Sequence, residues 1–390
     1  MRKILLSMAL VLLSGAAMAQ NKLEFTFNRS TNTVTATIDG AVCPDITASI
    51  AISPSNYLTA SNCANDSILA INRNTTAATA DDPNTYTLTI NGLKENCTFS
   101  EVIAGGVAVN SGGTFQGSNT SRSRYFKVAY GENAENLTTT EAVLKTICDD
   151  SHCSGNPTDN TFTVDGTTTS GSLTIKVQVY TDSGLGCFYG LTSITLVGEN
   201  FAEAIALPVT NAGYATMYAS DALSIPTNIE AYIIKTINDG WVELTQVTGI
   251  IPAETGFIVK GSEGEHNLYI VENANTVADV DGNLLKGSVT DSFVNEEAYV
   301  LGNIDGVGLY KAVMEDGSWL NNAGKAYLPA SAVPNKAVAF YGFDWNGTTG
   351  IENVVTENGA KAIFDLTGRR VEAISAPGIY IVNGKKVLVK

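Results

Sequence analysis

The sequence predicts an all-β protein: two consecutive β-sandwich domains and a short C-terminal β-hairpin module, after a cleaved signal peptide. Three observations predict this class. Apolar and polar residues alternate along many short segments, those segments are rich in β-branched and aromatic residues, and clusters of Asn, Gly, Asp and Ser separate them. Short strands at regular spacing with hardly any helix are typical of β-sandwiches.

The first nineteen residues form a leader. Arg2 and Lys3 precede a short apolar run, and Ala17-Met18-Ala19 offers the small residues of a cleavage site. This is the pattern of a secretory signal peptide, and the run is too short to span a bilayer. We therefore expect an exported mature chain that begins at Gln20 and has no transmembrane segment.

The first predicted domain covers residues 20–200. Residues 23–38 alternate, turn through a polar stretch and alternate again, which predicts a β-hairpin. Further strands are predicted at residues 85–92, 125–131, 172–180 and 189–199. One helix is predicted near residues 138–148, because Thr138 and Glu141 match a capping box and Val143, Leu144 and Ile147 recur at helical spacing.

The second predicted domain covers residues 201–347. This segment contains no cysteine, and it contains all three tryptophans of the chain, Trp241, Trp319 and Trp345. The segment again consists of short strand patterns separated by turns such as NDG, SEGE and DGN. We expect a second β-sandwich with its own core.

The C-terminal module covers residues 348–390. It contains a strand, a Thr-Gly turn and a strand, then a hairpin around Asn383-Gly384, a pair that suits a type I′ turn. The last thirty residues contain two acids and six basic residues: Lys361, Arg369, Arg370, Lys385, Lys386 and Lys390. Basic residues on a short exposed hairpin discourage pairing with other chains.

The chain as a whole is acidic, with a formal net charge of −16. This charge favours solubility and disfavours nucleic acid or an anionic membrane as a partner. The basic hairpin at the C-terminus is a local exception.

All six cysteines lie in the first half of the chain. An even number of cysteines in an exported protein predicts disulfides, although the sequence does not choose among the fifteen connectivities that six cysteines allow. A metal site is disfavoured because no Cys-x-x-Cys pair is present. The disulfide candidates are Cys43, Cys63, Cys97, Cys148, Cys153 and Cys187.

The sequence has little that indicates catalysis. The only two histidines, His152 and His266, lie in turn-like segments and are interpreted as solvated. No nucleophile elbow, zinc-protease motif or phosphate loop is present, so no catalytic residue is assigned. Glycoside hydrolysis needs only two carboxylates and stays open as an alternative, although the acids fall mainly in turns.

No cofactor or metal ligand is assigned either. Residues 278–284 place Asp279, Asp281 and Asn283 at alternate positions, like the start of a calcium loop. Leu284 stands where that loop needs glycine, and no glutamate follows at the required distance, so a plain turn is preferred to a structural calcium site.

Carbohydrate binding is the activity best matched by the first domain. Sugar sites on β-sandwiches use exposed aromatic side chains for stacking and polar or cationic groups for the hydroxyls, as in other apolar sites with a few placed polar groups. The expected partner is a glycan or another surface ligand. The candidate residues are Tyr125, Tyr130, Tyr180, Phe188, Tyr189, Arg122 and Arg124.

Three stretches resemble known families. The segment GCFYGLTSITLVGE resembles the last strand of galactose-binding-like jelly-roll modules, which implies a jelly-roll fold for the first domain. The segments TGIIPAETGFIVKG and AYVLGNIDGVGLYKA are similar to a β-rich module near the C-termini of secreted bacterial surface proteins. The tail, with IFDLTGRRV, PGIYIV and KKVLVK, resembles a shortened C-terminal sorting domain of type IX (Por) secretion.

The last resemblance implies a Gram-negative bacterium and recognition of the C-terminus by secretion or sorting machinery. The opening strands of that sorting domain are missing here. The residues that match its motif are Gly368, Gly378, Tyr380, Val382, Lys385, Lys386 and Lys390.

We therefore expect a non-enzymatic, adhesin-like protein at the cell surface or outside the cell, which binds carbohydrate or another ligand and carries a C-terminal sorting or attachment tail. Two alternatives from other classes stay open. One is a secreted, glycan-acting hydrolase with an unidentified carboxylate pair. The other is a structural component of a surface assembly, in which the sandwiches serve as spacers.

Overall fold

The computed structural model describes residues 20–55, 66–71, 78–108, 122–147, 158–181, 189–238, 240–304, 306–345, 363–365, 370–371, 378–382 and 385–389. Strands dominate these residues, and no α-helix occurs among them; one short 3-10 turn covers Ala330–Ala332. The predicted all-β class is confirmed. The predicted signal peptide lies outside the described residues.

Two compact units make up the chain. The first consists of the residues up to Ile205 together with Tyr269–Ala274, and the second consists of Ala206–Leu268 and the residues from Asn275 onwards.

In the part of the chain that the structure describes, thirteen strands lie entirely within the first unit. They are β1 (Asn21–Asn28), β2 (Thr33–Ile38), β3 (Ala41–Val42), β4 (Thr47–Ser53), β5 (Leu69–Ala70), β6 (Asn84–Asn91), β7 (Cys97–Ala108), β8 (Arg122–Gly131), β9 (Thr138–Thr139), β10 (Val143–Ile147), β11 (Thr158–Thr168), β12 (Leu173–Tyr180) and β13 (Tyr189–Glu199).

The first unit has two antiparallel sheets. One has the order β11-β7-β13-β1-β2-β3, with β5 added to β13, and the other has the order β10-β8-β12-β6-β4, with β9 added to β8. We call the second of these the six-stranded sheet. The predicted hairpin is confirmed, because β1 and β2 pair with Leu23 opposite Ile38. The other edge of β1 pairs with β13, where Leu23 lies opposite Leu196, so the first and last strands of the unit are joined.

Aromatic side chains fill the core of the first unit. Tyr86 on the six-stranded sheet packs edge-on against Tyr189 on the other sheet, with ring centroids 6.0 Å apart. Its hydroxyl donates a 2.6 Å hydrogen bond to the Tyr189 carbonyl oxygen, and both side chains are fully buried. Phe126 meets Tyr189 edge-on at 5.2 Å, and Phe99 meets Tyr130 at 5.6 Å. These contacts bridge the two sheets and fix which faces lie inside.

The predicted helix near residues 138–148 is wrong. Thr138 and Thr139 pair with β8 as the short strand β9, and β10 pairs antiparallel with β8. The Thr140 side-chain oxygen accepts a 3.1 Å hydrogen bond from the Val128 N–H instead of capping a helix. Threonine and valine favour extended backbone, and the free edge of β8 supplies hydrogen-bond partners that outweigh the helical spacing.

A later segment completes the first unit. The Asp45 carboxylate accepts hydrogen bonds from the backbone N–H groups of Glu272 at 2.7 Å and Asn273 at 3.0 Å. The Tyr269 hydroxyl donates to Asp39 at 3.0 Å, and the Tyr269 ring belongs to the core of this unit. These contacts hold Tyr269–Ala274 against the first sandwich.

Fifteen further strands are described up to residue 345. They are β14 (Ala204–Val209), β15 (Tyr214–Met217), β16 (Ala222–Ser224), β17 (Ile229–Asn238), β18 (Trp241–Val247), β19 (Ile250–Ile251), β20 (Phe257–Gly261), β21 (Gly264–Val271), β22 (Lys286–Ser288), β23 (Ser292–Val294), β24 (Ala298–Asn303), β25 (Val307–Lys311), β26 (Trp319–Asn321), β27 (Lys325–Pro329) and β28 (Phe340–Trp345).

These strands form three sheets. The largest has the order β15-β20-β17-β18-β28-β25-β24-β27-β22, and the others have the orders β14-β21-β16-β19 and β23-β26. The large sheet curves until β15 reaches β27. There the Ala326 N–H donates to the Thr216 side-chain oxygen at 3.3 Å, and the Tyr218 N–H donates to the Gly324 carbonyl at 2.9 Å. One bond to a side chain and one backbone bond thus stand in for a regular ladder at this seam.

The last four strands form a separate small sheet. They are β29 (Ile363–Asp365), β30 (Arg370–Val371), β31 (Gly378–Val382) and β32 (Lys385–Val389), in the order β30-β29-β31-β32. β31 and β32 pair antiparallel along their length, from Gly378 opposite Val389 to Val382 opposite Lys385. The predicted C-terminal hairpin is confirmed.

Replacing Tyr86 by Phe should destabilise the first unit by about 1–3 kcal/mol, because a buried carbonyl oxygen loses a hydrogen bond and water cannot replace the donor. Hydrogen exchange of peptides from β6 and β13 measures this unit separately from the second. The matched control is Tyr180→Phe, which removes a hydroxyl from a partly exposed tyrosine. Equal exchange in Tyr86→Phe and the unmodified protein would contradict the assigned role.

Candidate functional site

The outer face of the six-stranded sheet carries a set of partly exposed side chains. On β8 and β12 the buried residues alternate with residues that face away from the core. Phe126 and Val128 face the interior from β8, whereas Tyr125 and Lys127 face outwards. The same alternation on β12 turns Gln178 and Tyr180 outwards.

Three apolar side chains form a row across neighbouring strands on this face. Tyr125 lies opposite Tyr180 in the β8–β12 pair, and Leu144 lies opposite Tyr125 in the β10–β8 pair. The two tyrosine rings are stacked, with centroids 5.2 Å apart and an angle of 14° between their planes. Leu144 is 54% exposed. We call Tyr125, Tyr180 and Leu144 the tyrosine platform; at one strand spacing per step it extends about 10 Å.

A polar row borders the tyrosine platform. Lys127 lies opposite Gln178, which in turn lies opposite Thr85 of β6. One step further, Lys176 lies opposite Ala129 and is diagonal to Lys127, a separation of about 7–8 Å between the Cα atoms. Among the described residues, neither lysine forms an ion pair. The face therefore combines an aromatic surface with amide, hydroxyl and ammonium groups.

Only part of the predicted ligand set lies on this face. Tyr125 and Tyr180 do, and their stacking brings them together. The prediction is wrong for Tyr189, which is fully buried, and for Tyr130, whose ring packs against Phe99 in the core.

Arg124 is only 7% exposed and lies on the core side of β8, so the prediction that it contacts a ligand is also wrong. The cause is alternation, since an inward Phe126 places the residues two and four positions away on the same side. Phe188 lies outside the described residues, and so does the side chain of Arg122.

Sequence reasoning missed Leu144, Lys127, Lys176 and Gln178. Lys127 could have been found from strand parity, because it lies two residues from Tyr125 in the same strand. Gln178 stands in the same relation to Tyr180. Leu144 carried no such signal, because its position depends on the pairing of β10 with β8.

The disulfide prediction is not supported for Cys43 and Cys97, which are free thiols. Both are buried, and the Cys43 thiol donates to the Ala41 carbonyl at 3.4 Å, so each packs as a small apolar side chain. Burial raises the pKa of the Cys43 thiol to about 12 and that of Cys97 to about 11. The other four cysteines lie outside the described residues.

Both thiols should resist alkylation in the folded protein. At pH 8 a thiol with a pKa of 12 is ionised in roughly one molecule in ten thousand, and only the thiolate reacts. Iodoacetamide labelling read by mass spectrometry should modify Cys43 and Cys97 at least about a hundredfold faster in denaturant than in buffer. Rapid labelling in buffer, or a disulfide-linked peptide that contains either residue, would refute this assignment.

His266 is not the solvated turn residue expected from the sequence. It lies on β21 and is 7% exposed, with Nε2 2.9 Å from the Ser262 carbonyl oxygen and Nδ1 3.4 Å from the Asn228 amide. The residues around His266 extend as the strand β21, and this strand places the imidazole ring against the segment that contains Ser262. His152 lies outside the described residues.

The segment 278–284 forms a turn rather than a calcium loop. Asp279 accepts the Asp281 N–H at 3.0 Å, and the Asn283 amide donates to the Gly256 carbonyl at 2.7 Å. Asn283 thus points into the protein and not toward Asp279. Within the described ranges, no cluster of three or more His, Cys, Asp or Glu side chains could hold a metal ion.

No known protein family, no curated protein and no solved structure matches this chain. In the described part of the chain, no helix has the length and apolar character needed to cross a membrane.

Proposed function

We propose that the first unit binds carbohydrate through the tyrosine platform and that the protein is a non-enzymatic, adhesin-like surface protein. The observation that supports this function is the stacked Tyr125–Tyr180 pair on the outer face of a sheet whose inner face is fully packed. The two rings lie nearly parallel and stack on each other, and together with Leu144 they leave a partly exposed apolar surface against which the apolar face of a sugar ring can pack. Gln178 and Lys127 are placed to donate hydrogen bonds to its hydroxyls, and the Thr85 side-chain oxygen, whose own proton goes to the Pro83 carbonyl, is placed to accept one.

The charge of this face favours an acidic glycan. Lys127 and Lys176 project from it, and the outward positions described on β4, β6, β8 and β12 contain no aspartate or glutamate. A uronate or sulfate group would gain charge-assisted hydrogen bonds from the lysines, in addition to the stacking contact. We therefore expect acidic polysaccharides to bind more tightly than neutral polysaccharides with the same backbone.

Alanine at Tyr125 or Tyr180 should weaken glycan binding at least about fivefold, since each loses a stacking contact of about 1 kcal/mol. A glycan array followed by affinity electrophoresis with the best polysaccharide measures this. The control is Phe293→Ala, which truncates an aromatic side chain that is 73% exposed in the second unit.

The lysines provide a second, independent comparison. Gln at both Lys127 and Lys176 should remove most of the preference for acidic over neutral glycans and most of the salt dependence. If no glycan in a broad panel is retained, or if the tyrosine variants bind as well as the unmodified protein, the platform is not a carbohydrate site.

We also propose that the C-terminal sheet serves in export, as a sorting or attachment signal for type IX secretion at the Gram-negative cell surface. Its support is the small antiparallel sheet of β29 to β32, whose four strands pair with one another. In its hairpin Tyr380 lies opposite Val387, and Lys385 and Lys386 lie opposite Val382 and Ile381. Because these strands pair with one another, a receptor could recognise them as one folded element.

Deletion of residues 351–390 should abolish delivery to the surface or medium in a bacterium with type IX secretion, and the protein should accumulate inside the cell envelope. Immunoblots of cell fractions measure the distribution. A second variant, Lys385→Gln with Lys386→Gln, keeps the length of the hairpin and tests its charge. Unchanged surface levels after the deletion would eliminate the sorting role.

A further inference from the structure

The second unit contains a cavity of about 470 Å³ at the seam where β15 approaches β27. This volume lies in the range of about 300–1,000 Å³ that is usual for sites that hold small molecules. Regular pairing of β24 with β27 stops at Tyr299 opposite Leu328. The next two residues of β24, Val300 and Leu301, line the cavity that opens between the strands.

The walls of the cavity are mainly apolar. Besides Val300 and Leu301, they include the side chains of Ala312, Val313 and Leu320. Val313 and Leu320 are 80% and 46% exposed, so they mark an apolar mouth. The Trp319 indole forms part of the lining and is held in place, because its N–H donates to the Glu296 carbonyl at 3.0 Å. An apolar body would gain affinity by displacing water from these walls.

The polar groups of the lining include a cluster at the turn between β26 and β27. Asn321 is only 2% exposed, and its amide donates to the Lys325 carbonyl at 3.1 Å, which leaves its second N–H to donate. Asn322 and Lys325 line the cavity from the same turn. The Thr216 side-chain oxygen accepts the Ala326 N–H, so its own proton is available to a ligand.

The charge of the lining is positive. Lys325 is the one charged side chain in it, and no carboxylate is present. Within the described parts of the chain, the Lys325 ammonium forms no ion pair. The nearby Asp291 carboxylate is turned to the backbone, where it accepts the Ala323 N–H at 2.7 Å. An anionic group at this end of the cavity would meet an ammonium and several neutral donors without a competing acid.

We propose that this cavity binds a small amphipathic carboxylate, with its apolar body between β24 and the Leu320 side chain and its carboxylate on Lys325, Asn321 and Thr216. A free sugar fits the lining poorly, because most of its hydroxyls would face apolar walls and stay without partners. An amphipathic cation would place its charge against Lys325. The site is separate in residues and in ligand class from the tyrosine platform, so neither proposal depends on the other.

Binding of decanoate to the full-length protein tests this proposal, measured by isothermal titration calorimetry below the micelle concentration. Decanoate should bind with one site per chain and change the tryptophan fluorescence, because Trp319 lines the cavity. Decanol and decyltrimethylammonium have the same chain without the negative charge, and each should bind at least about tenfold more weakly.

Two variants and one control locate the site. Lys325→Gln should weaken decanoate binding about tenfold and leave decanol binding unchanged. Ala312→Leu should weaken both, because it fills the cavity. Lys235→Gln makes the same charge change at an exposed ion pair with Asp279 and should bind decanoate normally.

Three results would overturn the proposal. They are the absence of decanoate binding, equal binding of decyltrimethylammonium, and equal decanoate affinity in the unmodified protein, Lys325→Gln and Ala312→Leu. The comparison of the three probes uses the unmodified protein alone, so it decides the charge preference even where a variant fails to fold.

Discussion

Burial of the inner face of the six-stranded sheet is the constraint on which the proposed binding surface depends. Phe126, Val128, Ile175 and Val177 are fully buried, and a slip of one residue in β8 or β12 would turn each of them into solvent. Register is therefore fixed by the core, through contacts such as the edge-on packing of Phe126 against Tyr189. Because the register is fixed, Tyr125 must lie opposite Tyr180 on the outer face. The site residues are thus positioned by side chains that never touch a ligand.

Side-chain parity explains how far the sequence could predict the site. Residues 125 to 131 were correctly predicted as a strand, and in any strand Tyr125 and Tyr130 point to opposite faces, since they are five positions apart. Treating them together as ligand-binding residues ignored this rule, and Arg124 failed for the same reason. Parity alone, however, does not say which face is buried or which strand lies beside which. The neighbours Leu144 and Tyr180 depend on pairings with Tyr125 across 19 and 55 positions of the chain, and such long-range contacts have no local signature.

The fold class was more predictable than its local exceptions. Alternation, β-branched residues and turn clusters together predicted the hairpins of β1 with β2 and of β31 with β32, because these elements are local and each signal agrees with the others. The helix prediction near residues 138–148 failed because the helical spacing competed with the unpaired edge of β8, which only the tertiary structure supplies. The cavity at the seam of β15 and β27 also could not be predicted from local sequence. Its lining comes from residues 208 to 326 of the chain, so no short motif could have indicated it.

Anion binding by so acidic a protein follows from where its charges lie. The field at a binding group is set by charges within about one Debye length, roughly 8–10 Å at moderate salt, and not by the net charge of −16. Several acids of the first unit are used locally: Asp39 and Asp45 bind backbone and hydroxyl donors, and Glu132 accepts the N–H groups of Thr169 and Ser170. Lys127 and Lys176 on the sheet face and Lys325 at the cavity have no such acidic partner in the described structure. An anionic group that reaches these lysines therefore gains short-range attraction, while the more distant acids are screened and act mainly to disfavour large polyanions such as nucleic acids.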